Sequence, residues 1–521
     1  MARTSSLSER PGSHRPRRLV DWLNPTGTKK VHSLDRRAHL AVGGGCNRGV
    51  SAGILWERHR EGTNPRNEMQ EVLKEYLREG ELAQQWRAVE TAETLEAMMA
   101  AAWVLARALA LLLISQVLEA RAAEPVSWPD CKVCGKRLRS KGWVARQWRG
   151  VIGIVKWRRR VGRCPSRCKI GQVAPLDQAL GLEAYARTGV AVQEIACLSA
   201  VLMPFELASR MLARLAGVVV SASSVWQWAQ AYGRKAMARL DEELKRLAQG
   251  ERPVPETLAA EIAALPVMVG ADGVKVPLRP QGGSPRGAVV WREVKVGILA
   301  RFCHWVRESG EHAFAIKQRR AVAVLGDIEA LKPRLQLEAL RQNIEQAPRV
   351  VWLSDGGGGL WRAFRELFGS LATGILDFYH AVQNVWKAVK VWKDGRSQRA
   401  RSWWKWARRR MRYGAVDEVL TKLYIARAMG HLRPTVRQAL ENLCTYLETH
   451  HEHLDYARYR QEGLPIGSGC VESTCKWLIQ QRFKGVGMRW SESGLNHLLH
   501  LRLAWTNERF ESLFEQTSPN L

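Results

Sequence analysis

Two groups of side chains in this sequence have the residue types and spacing for chemistry. The first is a set of cysteines. "CKVC" supplies Cys131 and Cys134, and "CPSRC" supplies Cys164 and Cys168. Two thiolate pairs separated by a hairpin-length segment suit tetrahedral zinc. Four sulfurs at about 2.3 Å leave no position open for water, so the expected Zn²⁺ site is structural. A reducible disulfide pair is the plainer alternative. Arg137, Arg139, Lys141, Arg158, Arg159, Arg160 and Arg163 surround the cysteines, which predicts a ribbon that faces phosphate.

The second group is acidic. Asp272 closes "VMVGADG", Asp355 closes "VVWLSDG", and Glu472 heads "LPIGSGCVESTCKWLIQQRFKGVGMRWS". Two aspartates on adjacent strands with a distant glutamate can hold two Mg²⁺ or Mn²⁺ ions about 3.5–4 Å apart. One ion then activates an attacking oxygen and the other stabilises the leaving oxygen of a phosphoryl transfer. The acids must lie where strands open to solvent, with glycine following so that phosphate can approach. Both "ADG" and "SDGGGG" meet this. Asp-Gly is also a common turn dipeptide, and a first-turn glutamate also stabilises a helix dipole, so spacing alone leaves a structural role open. A dinucleotide fingerprint at "SDGGGG" is discounted. Its third glycine would fall at Trp361, and Asp355 would face the pyrophosphate.

Weaker candidates follow. Residues 385–414 interleave Trp386, Trp392, Trp403, Trp404 and Trp406 with cations that include Arg408, Arg409 and Arg410. This is either a grip on DNA or a solvated basic face over a tryptophan-lined core. His450, His451 and His453 read as an exposed helical run, and Cys470 and Cys475 as small buried residues.

The elements that would position these groups come from patterning. A chain of 521 residues exceeds one ordinary core, so two to four domains are expected. Lys and Arg number 80 against 50 acids, a net charge of +30, which favours a polyanionic partner such as nucleic acid. Ten cysteines over this length do not form a secreted disulfide scaffold. With the metal-type spacing they point to a reducing compartment. Residues 1–67, basic and rich in Gly, Ser and Pro, read as a disordered extension; a native start at Met69 is the second reading. Residues 69–127 read as helical. Their apolar run 97–118 is long enough to span a bilayer, but Arg107 lies within it, so a buried or dimer-forming helix is expected, with no membrane partner. Residues 128–174 form the ribbon. In residues 175–255 a helix, a short turn and serine caps outline a helix-turn-helix, with Trp226, Gln227 and Gln230 early on its second helix; a plain helix pair fits equally. Residues 260–380 carry strands followed by strand–helix–strand, a mixed α/β layer, resumed over 464–510. Residues 381–463 are helical.

At this point the motifs carry a resemblance. "LPIGSGCVESTCKW…KGVGMRWSESGLNHLLHLR", with "SDGGGGLW", "DFYHAVQNVW" and "APLDQALGL" upstream, resembles bacterial insertion-sequence transposases of the ISKra type over residues 69–510. The resemblance implies an RNase H-like catalytic domain with a helical insertion at 381–463, and Asp272, Asp355 and Glu472 as its DDE-type acidic triad. It also implies that Asp377 and His380, in "DFYH", match an Asp-x-x-His element of the related Mutator-like transposases. Expected partners are transposon-end and target DNA, with a homodimer or larger assembly to pair two ends. Lys476, Arg482, Lys484 and Arg489 would track the strand, and the "GSG" amides would meet phosphate at a helix N-terminus. A nuclease or resolvase that cuts without joining, and a non-catalytic DNA-binding regulator, are the alternatives.

Overall fold

A computed structural model describes residues 80, 82–280 and 287–515. The expectations for residues 1–67 and a start at Met69 lie outside these. Helix α1 (Ala83–Glu90) precedes α2 (Leu95–Ala123), a long helix of Ala and Leu begun by Thr94, whose hydroxyl accepts the Ala97 N–H. By length and composition alone α2 is long and apolar enough to cross a membrane. The expectation that this run might be buried is corrected. Ala122 is its one buried residue, because a single flank meets the protein and the rest meets solvent.

Strands β1 (Arg139–Gly150) and β2 (Gly153–Arg163) form the antiparallel hairpin between the cysteine pairs. Helix α3 (Val190–Leu202) follows, then α4 (Phe205–Met211), extended by one wide turn to Ala216 and stopped by Gly217 in the left-handed region. Ser221 caps α5 (Ala222–Ala248) by accepting the Ser224 N–H, so the helix–turn–helix outline is present.

The central sheet is five-stranded and mixed. Strands β3 (Val267–Leu278), β4 (Val290–Val306) and β5 (His312–Leu325) are antiparallel neighbours. After α6 (Ile328–Arg341), β6 (Val350–Ser354) pairs parallel to β3; after α7 (Gly358–Leu367), β7 (Ala372–Leu376) pairs parallel to β6. The order is β5-β4-β3-β6-β7. Sequence patterning does not single out β5 or α6. The cations of "KQRR" interrupt β5, and Pro333 lies inside α6. Asp272 does not close its strand, as patterning suggested. It lies inside β3, which runs on to Leu278 against β4, while β6 pairs only with Val267–Gly270. The opening in the sheet arises because β6 stops.

Helix α8 (Phe378–Trp392) leads from β7 into α9 (Gln398–Arg412), α10 (Val416–Arg427) and α11 (Pro434–Thr449). Here Trp386 meets Trp404 with centroids 5.7 Å apart, and Trp392 meets Trp403 at 5.4 Å. These indoles pack against the main core, while Arg408, Arg409 and Arg410 remain exposed. The chain returns as α12 (Gly469–Thr474), continues through a wide turn to Phe483, and ends with α13 (Glu492–Thr506).

A second core joins the far halves of β3, β4 and β5 to α3, α5 and α13. Helices α5 and α13 approach so closely at Gly233 that a Cβ there would lie 2.1 Å from the His497 carbonyl oxygen. Backbone cannot yield as a side-chain tip can. Gly233→Ala should therefore destabilise the protein by about 1–3 kcal/mol, outweighing alanine's gain of about 1 kcal/mol in helix propensity. In urea titration the midpoint should fall with the slope unchanged.

Candidate active site and zinc centre

The acids gather beside the point where β6 ends. Asp355 follows Ser354 directly, and its Oδ1 accepts the Gly357 N–H at 3.0 Å, shaping the turn into α7. Its carbonyl accepts Trp361 Nε1 at 2.7 Å. Asp272, one strand away, accepts the Gly273 N–H at 2.6 Å. Both aspartates line an open cleft of about 600 Å³ with Arg292, Lys295 and Asp327. Glu472 arrives on the first turn of α12. That helix can sit on β3 because Gly270 has no side chain: a Cβ there would meet Val471 Cγ2 at 2.6 Å and the Leu353 carbonyl oxygen at 2.7 Å. Lys476 Nζ lies 3.7 Å from Glu472 Oε2, one turn on.

The three acids share one electrostatic field. Burial pushes the Asp272 carboxyl above its usual range, and the charges of Asp355 and Glu472 add to this, opposed by the Gly273 N–H and His380. Like charges held together in this way favour a bound divalent cation. The carboxylates do not close on a single point, however. Among the described residues, the only group of three or more His, Cys, Asp or Glu whose ligand atoms all lie within 4.8 Å of one another is the cysteine set.

Asp377 is 1% exposed. Its Oδ1 accepts the His380 N–H at 2.7 Å, capping α8, and its Oδ2 accepts the Ser468 N–H at 2.5 Å. Direct DNA contact from Asp377 is therefore corrected, since both oxygens are committed within the fold. The "GSG" expectation changes with it, because the Ser468 amide is occupied. Burial opposes ionisation of Asp377, but the bonds from His380 and Ser468 prevail and hold it below the carboxylate range. His380 Nδ1 lies 3.3 Å from that carboxylate on a side chain 35% exposed. Asp377 foremost, with Asp355 and Glu472, holds the imidazolium above its ordinary range despite burial.

Arg482 is likewise corrected as a DNA contact. It is 2% exposed, donates from Nε to the Ala200 carbonyl at 2.8 Å, and lies against Phe205 and Trp490. Lys476, Lys484 and Arg489 are exposed as expected of solvent-facing cations, and so are Trp226 and Gln227; Gln230 is buried against α13. His450 and His453 are not on an exposed helix. His450 is 5% exposed, and His453 stacks on Trp361 with centroids 4.1 Å apart. Burial lowers both imidazoles. Through Trp361 they buttress the Asp355 turn, and Tyr446 closes over Gly356 beside it. Nothing in the sequence signals this, because the partners are far apart in the chain. Cys475 is buried, and burial with the Asp272 charge pushes its thiol up to about 12.

At the hairpin base, Cys131, Cys134, Cys164 and Cys168 converge, with Cys134 and Cys164 Sγ 3.4 Å apart. Sulfurs at about 2.3 Å from one tetrahedral centre lie about 3.8 Å from each other, so the set fits zinc. Among the surrounding cations Arg159 is a correction. It is buried, 3.1 Å from Asp177, and does not face phosphate.

No protein-family model matches this chain, and no curated protein matches it. Among solved structures, the Drosophila P element transposase strand transfer complex is similar over 65% of this chain and 82% of that one, at 11% identity and a TM-score of 0.22. A likeness at that level carries no argument.

Two predictions follow from these geometries. In metal-free protein, imidazole NMR should place His380 above 6.5, and Asp377→Asn should lower it. The stabilisation from charged His380 is complete below the ordinary imidazole value and is lost as pH rises through the raised folded value. Metal analysis should find one zinc per chain. Cys131→Ser should lose it and loosen the hairpin, read as faster amide exchange across β1 and β2.

Proposed function

We propose that this chain is a DNA transposase of the DDE type, similar to the ISKra group, working through an RNase H-like sheet. The observation that carries this reading is that Asp272 and Asp355 line one cleft where β6 ends, with the Asp272 carboxyl raised by burial first and then by the charges of Asp355 and Glu472. Asp272 and Asp355 would hold Mg²⁺ or Mn²⁺, and Glu472 would complete the shell of a second ion. Bound there, the two ions would supply activation of the attacking oxygen and charge neutralisation at the leaving one.

In the first step water attacks a phosphodiester at the element end, the P–O bond to the 3′ oxygen breaks, and a 3′-hydroxyl is released. That hydroxyl then attacks a target phosphodiester, forming one P–O bond as another breaks. No covalent protein–DNA intermediate and no external energy source are needed. Asp377 fixes the positions of His380 and the Glu472 segment. His380, whose imidazole Asp377 holds above its ordinary range, faces the scissile strand beside the acids. Lys476, Lys484 and Arg489 track the backbone, and Arg408 and Arg409 grip flanking DNA. The zinc ribbon, with Trp226 and Gln227 on α5, reads the terminal repeats. Joining two ends calls for at least two copies, working in the bacterial cytoplasm at the nucleoid.

The test uses labelled DNA carrying the gene's own flanking ends, a target plasmid and Mg²⁺. Wild type should give joined product. Asp355→Asn should bind ends normally but lose joining by more than the roughly 100-fold that outer-shell changes at metal sites cost. Cleavage without joining would make the chain a nuclease or resolvase. Specific binding with no cleavage by either protein, in Mg²⁺ or Mn²⁺, would make it a regulator.

A further inference from the structure

A cavity of about 220 Å³ lies where α5, β5, α6 and α13 meet the turn Glu511–Leu513. Its walls are largely apolar: Leu240, Val322, Leu503 and Leu513 stand on four different elements. An apolar protein cavity of about 150 Å³ is enough to stay dry and take up benzene. This one has room for a single ring with a substituent or two.

Four guanidinium groups also line it, against two carboxylates. Arg341 pairs with Glu243 and Glu338, and Arg509 with Glu256 and Glu338. The other two, Arg239 and Arg334, form no ion pair among the described residues. Arg239 is exposed at the rim and donates to Ser512. Arg334 Nη1 donates to the Ala330 carbonyl at 2.8 Å. The cavity therefore carries a surplus of positive charge, and burial pushes the Arg334 guanidinium below its ordinary range against the pull of Asp241.

Two polar atoms there have no partner. Arg334 Nε and His500 Nε2 are both buried and unpaired, and His500 as a whole is 6% exposed. Buried polar atoms in native folds are almost always bonded, so an unpaired couple lining one cavity points to something that the cavity takes up. The two atoms ask for different partners. A guanidinium N–H can only donate. His500 Nδ1 lies 2.7 Å from the Asn496 carbonyl, which can only accept, so Nδ1 carries the proton. Burial first, then the Arg334 charge, holds this ring below its ordinary range despite the Asn496 bond, so it is neutral and Nε2 is an acceptor. A water could bridge the two nitrogens, but it would leave the apolar walls beyond them uncovered. We propose that this cavity binds a ring-sized carboxylate that also bears an O–H or N–H group, with Arg334 receiving the carboxylate and His500 Nε2 accepting from the donor.

The inference does not rest on the catalytic reading, and its test adds neither DNA nor metal. Calorimetric titration of the full chain with para-hydroxybenzoate should show saturable binding at one site per chain. Benzoate lacks the donor and para-hydroxybenzyl alcohol lacks the charge. Each should bind about tenfold more weakly, the cost of one unmatched buried hydrogen bond. His500→Leu should erase the advantage over benzoate, and Arg334→Met the advantage over the alcohol. Ala504→Leu, which narrows the cavity and leaves both polar residues in place, should abolish binding with unchanged far-UV dichroism. Should a variant fail to fold, the three compounds on wild type decide. No binding of para-hydroxybenzoate at millimolar concentration would leave water as the occupant and overturn the proposal, as would equal binding of all three compounds. Binding that survives Ala504→Leu, or that inorganic phosphate displaces, would belong to the surface cations and overturn it as well.

Discussion

A carboxylate can be buried only when its oxygens are supplied with donors, and Asp377 draws one from its own helix and the other from Ser468, 91 residues further on. One oxygen caps α8, the other takes the Ser468 amide, and the Phe378 amide donates to the Ile466 carbonyl beside them. This is where the long helical excursion closes. Without it, nothing adjacent would hold the strand leaving β7 to the segment that enters α12, and Glu472 would have no fixed place beside β3. Gly270 supplies the matching constraint from the sheet, since any side chain there would lift α12 away.

The same accounting explains why so basic a chain does not present all its cations to solvent. Arg482 and Arg502 lie inside the second core and donate to the last carbonyls of α3; Arg502 also serves Leu478 and Trp477, in the wide turn after α12. A wide turn leaves carbonyls without their regular partners, and guanidinium groups fill them. Burial holds both arginines at about 10, still charged in neutral solution. Arg509 answers Glu256 and Glu338 in the same region. These cations stabilise the framework. Lys476, Lys484, Arg489 and, on α9, Arg408, Arg409 and Arg410 remain exposed to solvent.

Much of this was legible in the residues. The cysteine spacing predicted four converging sulfurs, the apolar runs predicted β3, β4, β6 and β7, and serine caps marked the start of α5. The acids were legible as candidates because each stands beside glycines next to an apolar run, a pattern that Asp-Gly turns share. Strand β5 was not, since its cations break the run, and neither were the helix-buried histidines. A sequence window reports burial through periodicity. His450 is buried against Trp361, a partner that no window contains.

The sequence by itself determined which side chains were available: four thiols at zinc spacing, three acids beside glycines, a surplus of cations, and a long apolar helix. Only the tertiary structure decided how they are used. It committed Asp377 and Arg482 to internal partners, left Arg408 and Arg409 outside, and exposed one flank of α2. The reason is physical. Availability is a property of residue type and local spacing, whereas a charge's role depends on whether water or protein supplies its partners, and that is settled by contacts between residues far apart in the chain.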